Sequence, residues 1–183
     1  LEDIVNTEQR AKVEDYGDTV FLVLRAARIE GDDQDLVLDQ ISLLLCGQTV
    51  ITFQEGGDDP FAAVRARLRN ESSRLRKSGA DYLVYALLDA VVDQYFDVLE
   101  AIGLQIENIE DLVLSDAGRK PLGRINRLRR QLLLLHRAIW PMREISGSLE
   151  HGEYSQIQAG TELFLRDVHD HTIVAMDTIE TYR

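Results

Sequence analysis

Residues 80–114 read ADYLVYALLDAVVDQYFDVLEAIGLQIENIEDLVL, and the rest of the architecture follows from this stretch. Apolar residues recur in it at alternating intervals of three and four over four heptads, which predicts one long amphipathic helix. This first seam consists of Tyr85, Leu88, Val92, Tyr95, Leu99, Ile102, Ile106, Ile109 and Val113. A second seam consists of Ile125, Leu128, Leu132, Leu135, Ile139 and Met142. Because only a short break with Pro121 separates them, we expect two antiparallel helices that pack seam to seam.

A third helix is predicted from about Thr161. Its apolar residues alternate with polar ones, among them Asp167, Asp170, His171 and Asp177. The helical pattern continues to Arg183 without a C-capping signal, so the sequence predicts that the natural chain continues beyond this residue.

The residues before Ala80 have a different pattern. Three β-branched or apolar runs, at 19–28, 36–45 and 49–53, predict an antiparallel meander, and Gly47 with Gln48 suits a two-residue hairpin turn. Asp59 followed by Pro60 predicts the start of a helix. We therefore expect an α+β fold, with a small antiparallel sheet covered by helices in residues 1–78 and three long helices in residues 79–183.

Composition excludes several classes of protein. Hydrophobic residues make up 45% and charged residues 28% of the 183 positions, a globular balance. The single cysteine, Cys46, excludes an internal disulfide and a thiolate zinc site. The net charge is −12, and residues 1–60 hold 14 acidic and 4 basic residues, so nucleic acid is not an expected partner whereas cations are.

Two carboxylate groupings are candidates for metal binding. Asp167, Asp170 and His171 lie at positions i, i+3 and i+4 and so share one face of a helix, while Asp89 and Asp93 form an i, i+4 pair. The alternative is a solvated acidic surface, or an arginine partner for Asp89. His169 with Asp170 also matches the dipeptide of metal-dependent phosphohydrolases, a chemistry that needs further histidines on neighbouring helices.

Several short motifs resemble the CorA family of magnesium and cobalt transporters. The chain opens with Leu1-Glu2-Asp3-Ile4, followed by Gln9-Arg10 and Lys12-Val13-Glu14. Further matches are Phe53-Gln54-Glu55, Ala80-Asp81-Tyr82-Leu83, Asp89-Ala90, Ile139-Trp140-Pro141, Arg166-Asp167-Val168 and Asp170-His171-Thr172. Their order and spacing run from Leu1 to Arg183. The family differs at Ala11, where it usually has proline, and at Glu8, where some relatives have histidine.

The resemblance implies a non-enzymatic, metal-sensing domain of a divalent-cation channel. It implies a homopentamer at the cell inner membrane, with this segment on the cytoplasmic side and anchored through membrane helices that follow it. A regulatory ion, Mg²⁺ or Co²⁺, would bind between subunits and hold the channel closed. Carried over by position, one side of the interface is Glu2 and Asp3 and the other is Asp167, while a second site takes Glu2, Asp89 and Asp167.

Three other interpretations stay open at this point. The zinc-transporting branch of the family shares the same implied fold. A helical scaffold would assemble through its seams without any metal. A metal-dependent hydrolase would use His169 and Asp170.

Overall fold

The structure is a computed structural model, and it describes residues 6, 9–32, 34–56, 59–114 and 121–183. Within these residues the chain forms four strands and five helices. The strands are β1 (Lys12–Asp15), β2 (Thr19–Glu30), β3 (Asp35–Cys46) and β4 (Thr49–Gln54). The helices are α1 (Ala62–Arg69), α2 (Arg74–Lys77), α3 (Ala80–Leu114), α4 (Leu122–Glu150) and α5 (Ala159–Tyr182). The predicted α+β fold is confirmed.

The sheet is an antiparallel meander in the order β1-β2-β3-β4. The turn between β3 and β4 is the predicted two-residue hairpin, in which Gly47 adopts a φ of +55°. One face of the sheet carries paired, fully buried residues, such as Leu22 opposite Leu43 and Leu24 opposite Ile41. This face supplies the sheet's part of the core, and α3 makes the main helical contact with β2.

Two local expectations differ from the structure. Strand β1 was not predicted, because its four residues, KVED, are mostly charged and form an edge of the sheet. Helix α1 begins at Ala62, two residues after Pro60. Asp59 still caps the turn, since its Oδ1 accepts a hydrogen bond from the Phe61 amide at 3.0 Å.

Helix α3 is held to the sheet and to α5 by buried polar contacts. The Tyr95 hydroxyl donates to the carbonyl oxygen of Arg25 in β2 at 2.5 Å. The buried carboxylate of Asp81 accepts from the Thr161 hydroxyl at 2.6 Å and from the Gln158 amide at 3.1 Å. Toward the other end of α3, Gly103 leaves room for Tyr182 of α5, because a Cβ added at Gly103 would lie only 2.7 Å from the Tyr182 hydroxyl oxygen. Helices α3 and α5 therefore run parallel.

Helix α4 runs antiparallel to both. Glu150, at its end, pairs with Arg166 near the start of α5, and His136 lies 3.7 Å from Glu180 near the end of α5. Proline 141 lies buried within α4, and the helix continues through it. Of the helices described, none combines the length and the apolarity that a bilayer crossing requires.

The expected packing of the two seams on each other is only partly right. The middle of each seam is buried, but Val113 and Ile125, near the tip of the α3–α4 hairpin, are exposed. The most extensive contacts between helices are those of α5 with α4, followed by those of α5 with α3. The reason is that α5 has an apolar face of its own, including Leu165, Val168 and Ile179, which it buries against both other helices. The division at residues 78 and 79 stays a prediction.

Candidate metal site

Helices α3 and α5 bring three side chains together that could hold a metal ion. Asp89 and Asp93 lie one turn apart on α3, and His171 comes from α5. One potential ligand atom from each residue lies within 4.8 Å of those of the other two. Asp89 is half-buried, while Asp93 and His171 are exposed. Among the described residues, this is the only group of three or more such side chains found that close together.

The packing of the two helices fixes these groups in place. The His171 ring meets Phe96 of α3 edge-on, with ring centres 6.0 Å apart. One turn before Asp89, Tyr85 joins Tyr82 and Phe164 in a cluster of rings whose centres lie 5.1 to 5.3 Å apart. The Arg74 guanidinium lies 4.4 Å from the centre of the Phe164 ring. The site therefore lies beside a cluster of aromatic rings that connects α3 to α5.

The electrostatics of the site favour a bound cation. Burial raises the pKa of Asp89, repulsion from Asp93 raises it further, and nearby His171 and Arg67 only partly offset this. Asp167 adds to the negative charge acting on Asp89. Burial, together with the charge of Asp89, raises the pKa of Tyr85 to about 12. A divalent cation among these carboxylates would remove the repulsion that the ion-free protein retains.

The chemistry of the donors fits a borderline transition metal as well as a hard cation. Two carboxylates with one imidazole suit Co²⁺ or Zn²⁺, and Mg²⁺ would bind through the carboxylates while keeping several waters. Three protein ligands leave coordination positions open for water or for a further group.

The predicted residues that lie together in the structure are not the ones that their spacing along the sequence grouped. Asp89 and His171 lie together, and Asp93, which the sequence indicated only as a pair with Asp89, completes the group. Asp167, on α5 one turn before His171, and Asp170 are both exposed and outside the group, although the charge of Asp167 acts on Asp89. Glu2 and Asp3 lie outside the described residues.

The phosphohydrolase interpretation finds no support in the described part of the chain. A ring nitrogen of His169 lies 3.1 Å from the Ser146 hydroxyl of α4, and the metal-ligand group does not include His169. An added Cβ at Gly147 would lie 3.2 Å from the His169 ring, so a glycine here permits this close packing. His169 is thus part of the contact between α4 and α5.

Protons should compete with the ion for Asp89. Because the folded-state pKa of Asp89 is raised, its protonation stabilises the ion-free protein, and this contribution is lost as pH rises through the raised pKa. We expect the free energy of unfolding of the wild type, relative to that of Asp89→Asn, to increase in the presence of a chelator as the pH is lowered from neutrality toward the ordinary carboxyl pKa of about 4.

Urea denaturation of the two proteins at a series of pH values across this range measures the difference. Cobalt affinity of the wild type, measured in parallel, should fall over the same interval, because a protonated carboxyl is a poor ligand. An unchanged or decreasing stability difference would show that Asp89 has no raised pKa.

The fold combines an antiparallel meander sheet with three long helices, of which α3 and α5 run parallel to each other and α4 runs antiparallel to both. The family described as CorA-like Mg²⁺ transporter protein matches residues 1–183. The chain is 42% identical over 183 residues to the cobalt/magnesium transport protein CorA of Thermotoga maritima, covering all of this chain and 52% of that protein. The chain belongs to the CorA-like family.

Solved structures agree on the fold. The soluble domain of CorA from Methanocaldococcus jannaschii superposes with a TM-score of 0.83 at 18% identity, covering 97% of this chain and 70% of that one. The cytoplasmic domain of ZntB from Vibrio parahaemolyticus superposes with a TM-score of 0.79 at 14% identity, covering 99% and 70%. At these identities the likeness concerns the fold alone.

Proposed function

We propose that this chain is the cytoplasmic, ion-sensing part of a magnesium or cobalt channel in the cell inner membrane. The observation that carries the proposal is the convergence of Asp89, Asp93 and His171 from two different helices. The chain spans about half the length of its Thermotoga maritima relative, whose name describes cobalt and magnesium transport. On this proposal the chain has no catalytic role, and the ion acts as a regulatory ligand.

An exposed stripe on α5 supports assembly with further copies of the chain. Residues on its outer face recur at intervals of four and three and are all exposed, and Leu163 (61%) and Val174 (51%) are apolar among them. We call this set the α5 stripe: Leu163, Asp167, Asp170, Val174, Asp177 and Thr181. Such a heptad spacing is typical of helices that associate, and the CorA resemblance implies a pentamer.

The acidic residues of the α5 stripe explain why assembly would depend on an ion. Copies associating through this face would bring Asp167, Asp170 and Asp177 close to carboxylates of their neighbours. Like charges at an interface repel unless a divalent cation lies between them. We propose that Asp167 shares such an ion with Glu2 and Asp3 of the next copy, so that the ion favours the closed assembly through its higher affinity for that state.

Replacing Asp167 with Asn tests this role. We expect magnesium and cobalt to protect the wild type against proteolysis, and the concentration of ion needed for half-maximal protection to rise about fivefold in Asp167→Asn, because one exposed carboxylate near an ion contributes about 1 kcal/mol. The matched control is Asp18→Asn in the exposed turn after β1, which should leave ion protection unchanged. Equal protection of the wild type and Asp167→Asn would show that Asp167 is a solvated surface carboxylate without a role in ion binding.

A zinc-specific protein of the same family is the second candidate. The imidazole of His171 in the ligand group favours it, since nitrogen ligands suit Zn²⁺ better than Mg²⁺. Protection by zinc at concentrations well below those of magnesium and cobalt would support this candidate. Absence of protection by all three ions would favour the scaffold without a metal role.

A further inference from the structure

A basic groove lies on the side of the molecule formed by residues 9–11, the sheet and α4. Its volume is about 880 Å³, which lies near the upper end of the range for small-molecule sites. The charged residues that line it are Arg10, Arg25 and Arg137, with His136 beside them. No carboxylate of the described residues lines this groove, although the chain as a whole has a net charge of −12.

The arginines converge from three different parts of the chain. Arg25 of β2 is held in place because its Nε donates to the Gln9 carbonyl oxygen at 2.9 Å. Arg137 is exposed on α4, and Arg10 lies 3.5 Å from Glu144. The Arg10–Glu144 pair is largely exposed on both sides, and exposed ion pairs contribute little to stability, so an anionic ligand can take the place of Glu144.

An aromatic surface borders the same groove. The Trp140 side chain is 43% exposed, and its ring stacks on that of His136 one turn earlier, with ring centres 5.9 Å apart and an angle of 19° between the planes. Leu38, Leu134 and Pro141 add apolar surface beside these rings. Glu180 lies 3.7 Å from the His136 Nε2, on the side of α5.

We propose that this groove binds a nucleoside phosphate, with the base against Trp140 and the phosphates against Arg10, Arg25 and Arg137. Guanidinium groups are well suited to phosphate oxygens, and an exposed indole is a stacking surface for a planar base. A simple anion would use only the arginines and would leave the aromatic and apolar surface uncovered. The proposal is independent of the ion site, because the groove shares no residue with Asp89, Asp93 and His171.

Tryptophan fluorescence provides a direct test, because Trp140 is the only tryptophan of the chain. Titration with ADP in the presence of a chelator should quench this fluorescence saturably. Arg137→Ala should weaken ADP binding at least fivefold. Arg130→Ala should leave it unchanged, because Arg130 is an exposed arginine of the same helix that does not line the groove. Asp89→Asn, which alters the ion site, should also leave ADP binding unchanged.

Two further ligands separate the parts of the proposed site. Adenosine should bind at least tenfold more weakly than ADP because it lacks the phosphates, and inorganic phosphate should compete with ADP only at much higher concentrations because it lacks the base. Quenching that does not saturate, equal affinities for adenosine and ADP, phosphate that competes as well as ADP does, or equal ADP affinities of Arg137→Ala and Arg130→Ala would each overturn the proposal. Equilibrium dialysis with labelled ADP checks that the fluorescence change reports binding.

Discussion

Asp89→Asn is expected to weaken cobalt binding at least roughly thirtyfold, because removal of one charged partner from a close, partly buried charge interaction costs about 2–5 kcal/mol. Asp89 is the most buried member of the ligand group, so water compensates least for its loss. Asparagine keeps the size and shape of the side chain, and the substitution removes the repulsion between Asp89 and Asp93. The ion-free fold should therefore be retained or slightly stabilised.

Isothermal titration with cobalt measures this effect. The control is Glu100→Gln, an exposed carboxylate of the same helix outside the ligand group, which should bind cobalt as the wild type does. His171→Ala should weaken cobalt binding more than magnesium binding, because the imidazole nitrogen is a better ligand for cobalt. Equal cobalt affinities of Asp89→Asn and Glu100→Gln would show that the ion binds elsewhere.

Leu99→Ala and Leu132→Ala are each expected to lower the free energy of unfolding by about 2–5 kcal/mol. Leu99 on α3 and Leu132 on α4 are both almost completely buried in the core that joins the helices. Truncation removes apolar contacts and leaves a cavity that rigid helices fill only in part. The effect is large because a domain of this kind is stable by only about 5–15 kcal/mol in total.

Urea denaturation of each variant measures the loss. Each buried leucine has an exposed counterpart on the same helix: Leu104 on α3 and Leu133 on α4. Leu104→Ala and Leu133→Ala should change stability by about 0.5 kcal/mol or less. A loss below about 1 kcal/mol at both Leu99 and Leu132 would show that the two seams do not form the core.

The three long helices, α3, α4 and α5, could be predicted from sequence because their apolar spacing extends over many turns. Apolar or β-branched runs predicted three of the four strands. Of these, β2 and β3 contribute buried residues to the core, whereas β4 alternates exposed and half-buried residues. Strand β1 could not be predicted, because a short edge strand of mostly charged residues has no apolar run. The packing partner of each seam could not be predicted either, because the apolar spacing on α3 and α4 does not determine how a third amphipathic helix packs against them.

The candidate site could be predicted only in part. Spacing along α5 grouped Asp167, Asp170 and His171. The rotation of α5 against α3 brings only His171 to Asp89 and Asp93 and leaves the two aspartates of α5 exposed outside the group. Contacts between helices that are distant in sequence cannot be derived from the periodicity of either helix. The sequence signal for the site was the i, i+4 spacing of Asp89 and Asp93. A carboxylate pair next to a buried seam position makes that turn of α3 a candidate for metal binding.

Anomalous diffraction from crystals grown with cobalt tests the proposed ion site most directly. Data collected on either side of the cobalt absorption edge locate the ion without reference to any assumed ligand. We predict an anomalous peak within coordination distance of the Asp89 and Asp93 carboxylates and of a His171 ring nitrogen, and loss of this peak in Asp89→Asn crystals. Cobalt bound only away from these three side chains, or a peak that persists unchanged in Asp89→Asn, would contradict the proposed site.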